Sequence, residues 1–113
     1  GETFYVSKGL DGCLTLYSEE QWQVRVAKIN ELPHSQTQYI RRNLYATTEQ
    51  VTPDKQGRIL ISPTLRRHAG LVKDVTVIGV GTTAEIWDSE RWNAFNESMS
   101  SEQLLNDMKA LNI

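Results

Sequence analysis

A chain of 113 residues has room for one compact domain, or for two small halves that share a core, and none for a separate catalytic domain. A hydrophobic content of 39% with 8% aromatics predicts a packed core and excludes disorder of the chain as a whole. The formal charge of −2 and isoelectric point of 5.7 argue against a dispersed, histone-like nucleic-acid binder, though not against one that gathers its basic groups on one loop and repeats that loop by oligomerisation.

Thr3 to Ser7 and Cys13 to Tyr17 are rich in β-branched, aromatic and apolar residues, with Gly9 and Gly12 between them, and predict a hairpin. Cys13, the only cysteine, can form neither an intrachain disulfide nor a thiolate cluster, and its place in an apolar strand predicts a buried structural thiol. Ser18 and Gln21 have the spacing of a capping box and open a predicted helix from Glu19 to Glu31, which buries Trp22, Val26 and Ile29 and ends at Pro33. Ser35 and Gln38 repeat the capping spacing before a second helix reaching Leu44, with Tyr39, Ile40 and Leu44 available for packing and Arg41 and Arg42 on a solvated face.

Glu49 to Thr52 reads as a strand, Pro53 to Gly57 as a turn, and Arg58 to Ile61 as a strand apolar enough to be covered on both faces. Ser62 as N-cap, Pro63 at the first helical position and Gly70 after the last turn bracket a helix from Pro63 to Ala69. Asp74 to Gly79 and Ala84 to Trp87 form a second predicted hairpin, and Asp88 caps a helix carrying Trp92 and Phe95. Beyond Glu97 the chain turns polar, with Leu104, Leu105, Met108 and Leu111 marking a short amphipathic helix suited to packing within or between subunits.

One block is written twice. Gly9 to Trp22 returns as Gly79 to Trp92, so that Leu16 matches Ile86, Tyr17 matches Trp87, Ser18 matches Asp88, Glu20 matches Glu90 and Trp22 matches Trp92. Duplication of a turn, strand, cap and helix predicts two related halves. The second copy is preceded by Asp54 to Arg58, a strand and a capped helix, the first only by Gly1 to Lys8; an upstream segment of roughly the length of Val51 to Gly70 is expected to be missing.

The inventory for catalysis is poor. His34 sits in a polar linker and His68 near a helix end, and no zinc-protease helix motif, phosphate-cradling glycine loop or nucleophile elbow is present. No enzyme activity, cofactor, metal or small-molecule substrate is therefore expected. The pentapeptide from Asp54 to Arg58 is the exception. Asp54 can order the turn by accepting its amides, Gly57 supplies a conformation other residues resist, and Lys55, Gln56 and Arg58 project from the tip. Lys55 suits phosphate as a mobile point charge, Arg58 suits phosphate or a guanine edge, and Gln56 can offer paired groups to adenine. Taken alone, the same pentapeptide is a hairpin turn with two cations.

The run Asp54 to Arg66, then Ala69 to Leu71, Val77 to Val80 and Glu85 to Trp92, closely resembles the second half of the MraZ family, and Gly9 to Leu14 with Ser18 to Trp22 resembles the back of its first half. The resemblance covers nearly the whole chain except the polar tail. It implies an α+β fold of duplicated SpoVT-AbrB-type swapped-hairpin β-barrel with flanking helices, the first half N-terminally truncated: residues 1–46 as the remainder of the first half, 47–96 as the second and 97–113 as a helical tail. It further implies a cytoplasmic, nucleoid-associated transcriptional regulator that binds double-stranded DNA at repeated promoter boxes of the division and cell wall gene cluster, as a ring-shaped homo-oligomer without membrane contact. Each half of the family carries a D-x-x-x-R motif on its DNA-facing side; here one match exists, with Asp54 as the ordering carboxylate, Arg58 as the contact and Lys55 as a neighbouring phosphate contact. Two other expectations compete: an oligomerisation scaffold that does not touch DNA, and an AbrB-type antitoxin whose tail from Glu97 to Ile113 clasps a toxin.

Overall fold

The computed structural model describes residues 2–113. Strand β1, Phe4–Lys8, and strand β2, Leu14–Ser18, pair antiparallel with Val6 opposite Leu16 and Tyr5 opposite Tyr17. The intervening residues make a single 3-10 turn, Leu10–Gly12, in which Asp11 and Gly12 both take positive φ. Ser18 then ends the strand and starts a helix at once: its hydroxyl accepts from the Gln21 amide at 3.2 Å, satisfying one of the orphan N–H groups of helix α1, Glu19–Glu31. Trp22 and Ile29 are buried and Val26 half-buried, as the i, i+4, i+7 spacing requires.

Helix α2, His34–Thr47, departs from expectation at its start and on its face. Pro33 is its N-cap and no side chain caps it, so Ser35 lies inside the helix. Tyr39 and Ile40 are exposed, and the residue buried instead is Thr37. The reason is Arg41, whose guanidinium turns back to Thr37 Oγ1 at 2.8 Å, Asn30 Oδ1 at 3.0 Å and the Ile29 carbonyl at 3.1 Å. This cation adds a second donor to the Ile29 carbonyl at the C-terminal end of α1, which also accepts the Leu32 amide, and only Arg42 stays on the solvated face.

Strand β3, Glu49–Val51, adds to β1, with Phe4 opposite Val51. Arg58 to Ile61 forms no ladder, and Leu60 is 83% exposed, which corrects the expectation of a strand covered on both faces. Its apolar pattern is real, since Ile59 and Ile61 pack against the core, but a strand also needs a neighbour to accept its amides, and among the described residues none lies beside it. Helix α3, Pro63–Ala69, carries all three predicted signals: Ser62 Oγ accepts from Leu65 N, Pro63 sits in the first turn, and Gly70 caps in the left-handed conformation. Strands β4, Val75–Gly79, and β5, Ala84–Asp88, form the second hairpin, and Asp88 caps helix α4, Ser89–Ser98, through the Arg91 amide.

The five strands form one antiparallel sheet in the order β3-β1-β2-β5-β4. Alternation along the strands sorts the side chains. Val6, Leu14 and Ile86 share one face, where Leu65 and Ala69 of α3 close the aliphatic core. Tyr5, Tyr17 and Trp87 share the other. There Trp22 of α1 meets Tyr17 edge-on at 5.5 Å, and Trp92 of α4 meets Trp87 edge-on at 5.3 Å, so the matched tryptophans of the repeated block make matched contacts. Helix α5, Ser101–Ala110, is opened by Ser100, which accepts from the Gln103 amide. Its Leu104, Leu105 and Met108, with Leu111 beyond its end, all remain exposed. No helix among the described residues is long and apolar enough to cross a membrane.

Candidate functional site

The segment leaving β3 and entering α3 is closed at its base by a side-chain bond: Ser62 Oγ donates to Glu49 Oε2 at 2.5 Å while it caps α3. At its tip, Asp54 organises the turn. Its Oδ1 accepts the Gln56 and Arg58 amides, both at 2.9 Å, and its own amide donates to the Arg58 carbonyl at 2.8 Å. Gly57 makes this possible with φ of +78°, donating its amide to the Asp54 carbonyl. The Arg58 amide holds the Asp54 carboxyl below the ordinary carboxylate value; desolvation, the next effect in size, opposes it, and the Gln56 amide and the Arg58 guanidinium lower it further.

Arg58 Nε donates to Asp54 Oδ2 at 3.0 Å, and Arg58 Nη2 donates to Gln56 Oε1. The guanidinium has five N–H donors, so these two bonds leave three for another acceptor. Its side chain is 74% exposed, presented yet fixed in direction by two neighbours. Lys55 is exposed beside it. Lys55, Gln56 and Arg58 thus share one tip, but the Gln56 carbonyl is engaged by Arg58, so in this arrangement Gln56 orients the guanidinium. The tip can present a directed cation and a mobile one to an anionic surface.

The remaining candidates for chemistry stay apart. Cys13 is fully buried with its thiol donating to the Leu10 carbonyl, and burial, with Glu85 second, pushes its pKa up to about 11. Among the described residues no three His, Cys, Asp or Glu side chains gather as a metal site. Arg91, which the sequence offers only as one residue of the Glu85 to Trp92 run, joins distant parts of the fold. Its Nη1 donates to the Gly12 carbonyl at 2.8 Å and to the His68 carbonyl at 3.4 Å, tying the first hairpin to the C-terminal end of α3. Nothing local in the sequence signals that reach, although its neighbours Gly12 and Gly70 are readable as turn residues.

A family model described as "MraZ protein, putative antitoxin-like" matches residues 44–111, more than half of the chain, with the whole Asp54 to Arg58 loop inside the match. The chain belongs to the MraZ family. Proteins called transcriptional regulator MraZ are similar along its length: that of Acetivibrio thermocellus is 44% identical over all of this chain and 82% of its own length. That of Heliobacterium modesticaldum is 43% identical over 86% of this chain and 69% of its own, and that of a Thermoanaerobacter species 42% identical over all of this chain and 82% of its own. The alignments that cover all of this chain extend over the first hairpin and α1, which lie outside the family-model match.

Proposed function

We propose that the chain is a DNA-binding transcriptional regulator whose Asp54 to Arg58 loop contacts the duplex. The observation that carries this reading is the ordered, exposed tip, where Asp54 and Gln56 aim Arg58 outward with three donors to spare. Arg58 is the main contact, to phosphate or to a guanine edge, and Lys55 a phosphate contact; Gln56, Asp54 and Gly57 keep the tip in shape. The names of the relatives support the regulatory role. Such a protein acts in the cytoplasm, at the nucleoid.

Two cations per loop bind weakly, because few counterions are released. The reading therefore includes a ring-shaped homo-oligomer on repeated promoter boxes upstream of the division and cell wall genes, in which several loops engage one duplex and avidity rises by about 10²-fold or more. The halves at residues 1–46 and 47–96, with a tail at 97–113, belong to the same proposal. A second reading, an assembly module that does not bind DNA, is favoured by the exposed apolar residues Leu60, Val72, Val75 and Val77. Fluorescence anisotropy on duplexes with and without tandem repeats, over a salt series, separates the two. Binding that is repeat-dependent, salt-sensitive and abolished by Arg58→Ala, with the fold retained, supports the regulator; absence of binding by the wild-type chain rejects it.

A further inference from the structure

The strand registers place two connections at the same end of the sheet. β1 begins there with Phe4, opposite both Ser18 and Val51, so the loop after β3 leaves from this end; β4 finishes at the same end with Gly79, opposite Ala84, and the turn from Val80 to Thr83 lies there too. On the aromatic face, beside that turn, is an open cleft of about 260 Å³ lined by Tyr17, Gln21, Arg25, Lys28, Thr82 and Thr83, and also by Val24. Among the described residues no carboxylate lines it. Among the described residues the single salt bridge is Arg58 with Asp54, so Arg25 and Lys28 enter the cleft without an ion-pair partner. Arg25 lies over the Tyr17 ring, 5.7 Å from its centroid, a cation–π contact that restrains the guanidinium and leaves its five N–H donors for an anion. Lys28, one turn on, contributes a mobile ammonium, and the threonines contribute hydroxyls.

We propose that this cleft is a second phosphate-contact site, which takes a backbone phosphodiester of the duplex whose other contacts are made by the Asp54 to Arg58 loop. The inference rests on the DNA-binding reading above. The loop approaches from the aliphatic face of the sheet, where Gly57 and Ile59 stand beside Leu16 and Ile86, and the cleft opens on the aromatic face, so one sheet end presents cations from both sides. Contacts to phosphate strengthen binding without choosing sequence, and Arg25 and Lys28 act in that way.

The test is the slope of log affinity against log salt for the wild-type chain, Lys28→Gln, the double variant Arg25→Gln with Lys28→Gln, and Lys73→Gln. Lys73 precedes β4 at the opposite end of the sheet and controls for removal of one charge. Each phosphate contact removed lowers the slope by about 0.9, so Lys28→Gln should lower it by about 1 for every subunit engaged on the duplex, and the double variant by about twice as much. Preference for the repeat duplex over a scrambled one should be unchanged, and Lys73→Gln should match wild type. If the double variant disturbs the fold by unstacking Tyr17, Lys28→Gln alone still decides. Slopes for Lys28→Gln equal to those of Lys73→Gln would overturn the site while leaving the DNA-binding reading standing; no binding by wild type would reject both.

Discussion

At the scale of single residues, Asp54 and Arg58 together do what neither could do alone. The carboxylate fixes the backbone through two amides, and the cation is then aimed by the same carboxylate. Asp54→Ala should therefore weaken DNA binding several-fold while the melting temperature hardly moves, because the carboxylate is exposed and its ion pair with Arg58 is screened by solvent; anisotropy beside thermal melting checks this. The pH dependence has a definite sign. The Asp54 pKa is lowered in the fold, so the ordered turn persists below the unfolded carboxylate value of 3.8 and is lost only as pH falls through the lower folded value. Cys13 behaves in the opposite sense. Its pKa rises from 9.0 to about 11 on folding, so the folded chain holds one more thiol proton between these values and stability falls as pH rises through them. Thiol labelling under denaturant at pH 8 and pH 10 measures it: Cys13 should stay unreactive in the folded chain and become accessible at lower denaturant at the higher pH.

At the scale of elements, helix ends do most of the organising. Ser18, Ser62, Asp88 and Ser100 each cap a helix through an early amide. Replacing Ser62 by alanine removes both the α3 cap and the Glu49 contact that closes the loop, so it should cost about 1–2 kcal/mol in chemical denaturation and loosen the tip. The end of α3 is shared with α4. Gly70 has φ of +63°, and a Cβ there would stand 2.7 Å from Arg91 Nη2. Gly70→Ala should destabilise by roughly 1 kcal/mol of backbone strain, plus the cost of any bond to the Gly12 or His68 carbonyl that the Arg91 end group gives up in moving aside. In combination with Arg91→Ala the loss should be less than the sum, since the clash disappears with the guanidinium; a double-mutant cycle reads that coupling directly.

At the scale of the whole molecule, the sheet is the shared structure: β2 of the first hairpin pairs with β5 of the second, Leu14 opposite Ile86. Leu14 is fully buried at that junction against α3. Leu14→Ala should cost about 2–5 kcal/mol and lower the melting transition of both hairpins together, because they close over one core. Two separate transitions in calorimetry would instead mark the hairpins as independent units. The exposed apolar residues of α5 and of the β4 edge are a whole-molecule property as well, since they have no partner within the described chain. Sedimentation over a concentration series reports whether copies of the chain associate, as the ring reading requires.

Local chemistry alone was enough for much of this architecture. Caps, prolines and glycines act within a few residues, so Ser18, Ser62, Pro63, Gly70 and Asp88 were legible as boundaries, and strand alternation together with the repeated block placed both hairpins. The Asp54 to Arg58 tip was legible for the same reason, because an Asp side chain ordering its own turn is a short-range event. Long-range reach was not. Arg41 and Arg91 look like surface cations in sequence, yet each spans to backbone carbonyls at a distant turn or helix end. Arg58 to Ile61 has the composition of a strand, but composition specifies only what a segment can bury, and a ladder depends on which strand stands alongside. The cleft at Arg25 and Lys28 was invisible for a related reason: its threonines arrive from a turn more than fifty residues away, brought there by β-sheet pairing.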